Sequence, residues 1–208
     1  MKTYIYTLLL ALFFSSAHAQ YVGLKGGLTF SRANLSNVTS ENFRFGYHLG
    51  LFYNIPVNEV FSIQPEALLT TKGTRADYNL FGLNGKNALN FTYIDVPLLG
   101  VMELGEHFEL MAGPYMGFLI GAKFLTEVDQ TTTNITISKK SFRTFDYGAA
   151  LGFGLNFGAI QTGATYYLGI QDLSESPDAN LIFGDPRNRV LQIFLCFRLG
   201  NHENEDLR

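Results

Sequence analysis

The sequence predicts an all-β fold, an eight-stranded antiparallel transmembrane up-and-down β-barrel. Three observations lead there. An apolar N-terminal run closes on small residues, as an export signal does. Eight stretches of about ten residues then alternate bulky apolar side chains with Gly, polar or charged ones. The connections between them alternate between short and long.

At the N-terminus, Lys2 supplies a positive charge and Tyr4 to Phe14 an apolar run. Ser15, Ser16 and Ala17-His18-Ala19 follow. The small-x-small pattern predicts cleavage before Gln20, so residues 1–19 are expected to be a signal peptide. The run is too short for a retained membrane anchor, and no later run is long enough for a transmembrane helix. Residues 20–200 are assigned to the barrel and 201–208 to a polar tail. Loss of Lys2 changes the formal charge from −3 to −4, too mildly acidic to suggest nucleic-acid binding. A single cysteine, Cys196, excludes an intramolecular disulfide even in an oxidising compartment.

The stretches are Tyr21 to Ser31, Arg44 to Ile55, Val60 to Lys72, Asn90 to Met102, Phe108 to Phe124, Phe142 to Phe157, Ile160 to Gln171 and Arg189 to Leu199. In the second, Phe45, Tyr47, Leu49, Leu51 and Tyr53 oppose Arg44, Gly46, His48, Gly50 and Asn54. In the sixth, Phe145, Tyr147, Leu151, Phe153 and Leu155 oppose Asp146, Gly148, Gly152, Gly154 and Asn156. The fourth is apolar on both faces, with Asp95 its only charge. Short connections fall at Pro56 to Glu59, Glu103 to His107 and Gly158 to Ala159. Longer polar ones fall at Arg32 to Phe43, Gly73 to Leu89, Leu125 to Ser141 and Asp172 to Asn188. Short periplasmic turns and long external loops would produce that order.

Alternation alone also fits a soluble barrel with an apolar interior. Two features favour the inverted arrangement, with apolar residues facing lipid. The polar faces are rich in Gly, which a narrow bore can use to make room for large neighbours. The 19 Phe and 11 Tyr can supply aromatic girdles at both interfaces. Parity then points Lys25, Arg44, His48, Glu66, Lys72, Asp95, Glu109, Lys123, Asp146 and Arg198 into the bore, beside Tyr115 and Tyr167. Lone buried charges are costly, so these should pair or reach water. The expected structural network sets Glu66, Asp95 and Asp146 against Lys25, Arg44 and Arg198.

Several segments resemble the PorT-like outer-membrane β-barrel domains of Bacteroidetes-type bacteria. They are Gly23-Leu24-Lys25-Gly26-Gly27, Phe61 to Leu69 with Lys72-Gly73, and Tyr93-Ile94-Asp95-Val96-Pro97-Leu98-Leu99. Ala112-Gly113-Pro114-Tyr115 and Asp146-Tyr147-Gly148 with Gly152-Phe153-Gly154 complete the set. The resemblance implies the barrel fold and a Gram-negative outer-membrane location, but not an activity. Two features depart from the family pattern: Thr165 stands near a position that is often basic, and a polar tail follows Leu199.

No motif for a hydrolase, metalloprotease, thiol-redox site or phosphate loop is present. Of four His, only His48 lies within a stretch, which argues against a His-based metal cluster. A Ser–His hydrolase would need a partner such as Ser62. No cofactor is expected. The leading expectation is a monomeric barrel with a plugged, charged bore that contacts lipid and binds a protein partner through its long loops. Phe81 and Phe183 are the candidate contact residues. A narrow pore for small solutes is the alternative, and an enzyme the second.

Overall fold

The computed structural model describes residues 20–33, 41–42, 44–80, 83–128, 131–136, 144–172 and 187–199. Phe81, Phe183, the signal segment and the tail lie outside them. Among the described residues there are ten strands and no helix. They are β1 (Tyr21–Ala33), β2 (Glu41–Asn42), β3 (Arg44–Pro56), β4 (Phe61–Leu80), β5 (Leu83–Leu104), β6 (Phe108–Val128), β7 (Thr131–Thr136), β8 (Phe145–Phe157), β9 (Ile160–Asp172) and β10 (Arg187–Leu199).

Eight of these strands form the barrel. Each pairs antiparallel with the next, in the order β1, β3, β4, β5, β6, β8, β9, β10. The ring closes where β1 meets β10, from Val22 opposite Leu199 to Ala33 opposite Asn188. Closure leaves no barrel edge unpaired, which a sheet in lipid requires. The short strands β2 and β7 add only to β4 and β6.

One end carries the short turns. Gly105 and Gly158 adopt φ of +75° and +61° there, a region that favours glycine. Before Phe61, the Asn58 side chain accepts hydrogen bonds from the backbone N–H groups of Val60 and Phe61 and fixes the third turn.

At the other end two expected loops are strand instead. β4 and β5 stay paired up to Leu80 opposite Leu83, and β5 and β6 up to Gly85 opposite Val128. Thr131 to Thr136 then folds back along β6. These segments lack the apolar alternation that marks the wall. The ladder continues although the sequence signal stops.

The side-chain pattern decides between a soluble and a membrane barrel. Leu28, Leu49, Ile94, Met116, Leu151, Ile193 and Leu195 are exposed on the outer wall; Leu151 alone is 62% exposed. Lys25, Glu66, Lys72, Asp95, Glu109 and Asp146 are buried inside. An apolar belt running round the whole molecule is untenable in water and is what lipid demands. Aromatic residues gather at both margins, with Phe30 against Phe45 and Phe118 against Phe145 at one end, and Phe108 against Phe153 at the other.

One inward assignment is corrected. Lys123 faces outward. Thr92 pairs with Gly121 but Tyr93 pairs with Leu119, so Ile120 is an extra residue in β6. Such a bulge reverses the side-chain phase beyond it. Ala122 is buried in the position that parity gives to its neighbour.

Candidate functional site

The bore holds three polar clusters, stacked from the short-turn end to the long-connection end. The lowest joins β6, β8, β9 and β10. Arg198 donates to Asn156 Oδ1 at 2.6 Å and lies 3.7 Å from Glu109 Oε2. The Asn156 amide donates to Glu109 at 3.0 Å, and the Gln161 amide donates to both Glu109 and Asn156. The Arg198 guanidinium also stacks 5.0 Å from the Tyr21 ring centroid.

The second cluster joins β1, β3 and β4. Lys25 Nζ donates to both carboxylate oxygens of Glu66 at 2.9 Å. Gln64 donates to Glu66 at 2.8 Å, and the Asn54 amide donates to Ser62 at 2.9 Å and to Gln64 at 3.3 Å. The Lys25 ammonium sits 4.4 Å above the Phe194 ring, a cation–π contact that supplements the ion pair.

The third cluster lies nearest the long connections and joins β4, β5, β6, β8 and β10. Lys72 Nζ is 2.7 Å from Asp95 Oδ1 and 3.6 Å from Asp146 Oδ2. Tyr115 and Asn188 donate to Asp146 at 3.2 and 2.8 Å. The ammonium also faces the Tyr93 and Tyr115 rings, at 4.7 and 5.2 Å. Gly117 lies between the two acids, since a methyl group there would come within 2.6 Å of Asp95 Oδ1 and 3.5 Å of Asp146 Cβ. Glycine at this point lets the two carboxyl groups converge.

Of the residues expected to form one network, Lys25 meets Glu66, while Asp95 and Asp146 share Lys72. Arg198 meets Glu109. Arg44 meets none of the acids set against it. It donates to Asn90 Oδ1 and, at 3.2 Å, to the Lys72 carbonyl. Its place near the end of the bore puts those acids out of reach. The neutral amides of Asn54, Gln64, Asn156, Gln161 and Asn188 are the members that a count of charges misses. Asn54 and Asn156 already stood on the polar faces of their stretches. Asn188 was hidden in an assumed loop.

Packed rings and apolar groups fill the space between the clusters. Tyr115 and Tyr167 meet edge to face at 5.2 Å, and Phe52, Met111, Phe194 and Cys196 are buried around them. His48 shares a 3.2 Å hydrogen bond with Thr29, whereas Ser62 bonds to Asn54, so the two do not form a Ser–His pair. Among the described residues no group of His, Cys, Asp and Glu is placed to hold a metal.

A closed antiparallel wall with an apolar exterior and an ionic interior defines a transmembrane β-barrel of the bacterial outer membrane. A family model described as "outer membrane protein beta-barrel domain" matches residues 15–175, and the chain belongs to that family. A comparison with curated proteins gave no match. Solved structures of similar fold include Ail, the attachment invasion locus protein of Yersinia pestis (14% identity, 86% of this chain and 98% of that chain, TM-score 0.45). Neisserial surface protein A is another (10%, 86% and 97%, TM-score 0.49), and OprG from Pseudomonas aeruginosa a third (14%, 88% and 97%, TM-score 0.38).

Proposed function

We propose that this chain is a plugged outer-membrane barrel that acts as a structural or interaction protein through its external end. Its three ion clusters serve to hold and fill the wall. The observation that carries this reading is the packing of the bore: Lys25, Lys72, Asp95, Tyr93, Tyr115 and Tyr167 are each at most 1% exposed. An eight-stranded barrel has room for little beyond its own side chains, and here those side chains bond to one another across it.

The interaction half of the proposal rests on β4, β5 and β6, which run on past the wall as a paired sheet extended by β7. In sequence, Phe81 falls between β4 and β5 and Phe183 before β10. Both are offered as contact residues for a protein partner, with the barrel itself a monomer. The segments quoted above support a PorT-like place within the family.

Planar-bilayer recording combined with partner capture tests this reading. The expected result is a silent bilayer together with capture that falls on Phe81→Ser or Phe183→Ser. Steady single-channel currents that change with Glu66→Gln or Arg198→Gln would overturn it in favour of a narrow pore.

A further inference from the structure

Five neighbouring strands of the barrel each carry one polar side chain, none of them from an ion pair, at a common level of the bore. Thr165 of β9 stands opposite Gln192 of β10, and Gln192 opposite Thr29 of β1. The Thr29 hydroxyl shares its 3.2 Å hydrogen bond with His48 Nδ1 of β3, and His48 stands opposite Thr70 of β4. All five residues are at most 2% exposed. Thr70 falls between Glu66 and Lys72 on the inner face of β4, so the row lies between the second and third ion clusters.

Four atoms of this row meet no hydrogen-bond partner among the described residues. They are His48 Nε2, Thr165 Oγ1 and both ends of the Gln192 amide, Nε2 and Oε1. Burying a polar group unpaired is costly, and buried polar groups in folded proteins are nearly all paired. The chemistry of these atoms fixes what can pair with them. The Gln192 amide presents a donor and an acceptor side by side, so a bare cation meets the wrong end at the donor and an anion at the acceptor. Water donates and accepts, and matches both. Gly152 stands opposite Thr165, and a Cβ on it would lie 2.9 Å from Thr165 Oγ1. Glycine there leaves the hydroxyl uncovered on the β8 side.

We propose that this row binds ordered water molecules inside the closed bore, bridging Thr165, Gln192 and His48. The proposal rests on the plugged-barrel reading, since only a closed bore keeps such water from exchanging freely with the bulk. Held water then supplies across β9, β10, β1 and β3 the bonds that ion pairs supply at the levels above and below.

The test uses the mature chain refolded in lipid, with Gln192→Met and Thr165→Val, each checked for the heat-dependent gel shift of a folded barrel. Nuclear and rotating-frame Overhauser spectra in nanodiscs read contacts between water and the Gln192 amide and Thr165 methyl protons. Cross-peaks of opposite sign in the two spectra, the mark of held water, are the expected result. With them goes a folding equilibrium constant reduced about tenfold by Gln192→Met in a urea titration. A dry row predicts the reverse: no such cross-peaks, and a more stable Gln192→Met protein, because an unbonded buried amide has been removed. Either finding, or cross-peaks of equal sign, in a barrel that stays silent in the planar bilayer would overturn the bound water and leave the plug standing. Equal signs together with steady currents would overturn both. Should Gln192→Met fail to fold, Thr165→Val carries the stability comparison.

Discussion

Lys72 and Asp95 meet at 2.7 Å although the ladder does not set them opposite each other. Lys72 pairs with Phe91 and Asp95 with Leu68, so the lysine side chain runs along the bore to reach its acid. It is the only cation within ion-pair distance of Asp146 as well, among the described residues. Lys72→Met therefore strands two buried carboxylates, while Asp95→Asn leaves Lys72 still facing Asp146. Unfolding by urea in lipid vesicles should show a loss of about 3–5 kcal/mol for Lys72→Met and a smaller loss for Asp95→Asn. The reverse order would mean that Asp146 is held mainly by Tyr115 and Asn188.

Cys196 reports on the bore directly. Its thiol is buried inside the barrel, beside Phe194 and below the Tyr115–Tyr167 pair. A water-soluble maleimide should leave the folded protein unlabelled and modify it at the rate of unfolding. Labelling of the folded barrel at the rate of a free thiol would show an open, wet channel.

The wall predicts asymmetric damage from charge. Leu151 lies mid-strand on the outer face and Phe157 beside the Gly158 turn, and both are exposed there. Leu151→Arg should cost on the order of 2–4 kcal/mol in vesicles, and Phe157→Arg about 0–1 kcal/mol, because the penalty falls with distance from the bilayer midplane. Equal costs would contradict the lipid-facing assignment.

Two inter-strand glycines should differ. A Cβ on Gly50 would lie 1.9 Å from the Ala67 carbonyl oxygen and 2.8 Å from Leu68 Cα, so the β3–β4 ladder would have to shift. A Cβ on Gly121 meets nothing nearer than Thr92 at 3.6 Å. Gly50→Ala should destabilise by about 1–3 kcal/mol and Gly121→Ala by little, as read by the same urea titration.

The wall was legible in the sequence because lipid imposes a strict period of two on residues such as Phe45, Tyr47, Leu49 and Leu51. The same parity placed Lys25 and Glu66 on inward faces. It could not show which charges meet, since Lys72 reaches along the bore and Arg44 ends beside Asn90, and parity says nothing of reach. It also failed at Lys123, where the single extra residue Ile120 reverses the phase without any mark in composition. The upper parts of β4 and β5 were hidden for a different reason. Residues 74–89 carry no apolar period of two, so no pattern in the sequence marks the ladder that continues through most of them.

The barrel is also lopsided. β1, β3, β8, β9 and β10 each have 13 residues, while β4, β5 and β6 have 20, 22 and 21. At ~3.4 Å per residue and a tilt near 40°, β5 alone rises about 55 Å, roughly twice the apolar band. Drag on the tip therefore acts on a lever whose fulcrum is the membrane surface. Its load passes down β4 and β5, the two strands that carry Lys72 and Asp95. The uppermost ion cluster stands at the root of that lever, where bending torque on the wall is greatest.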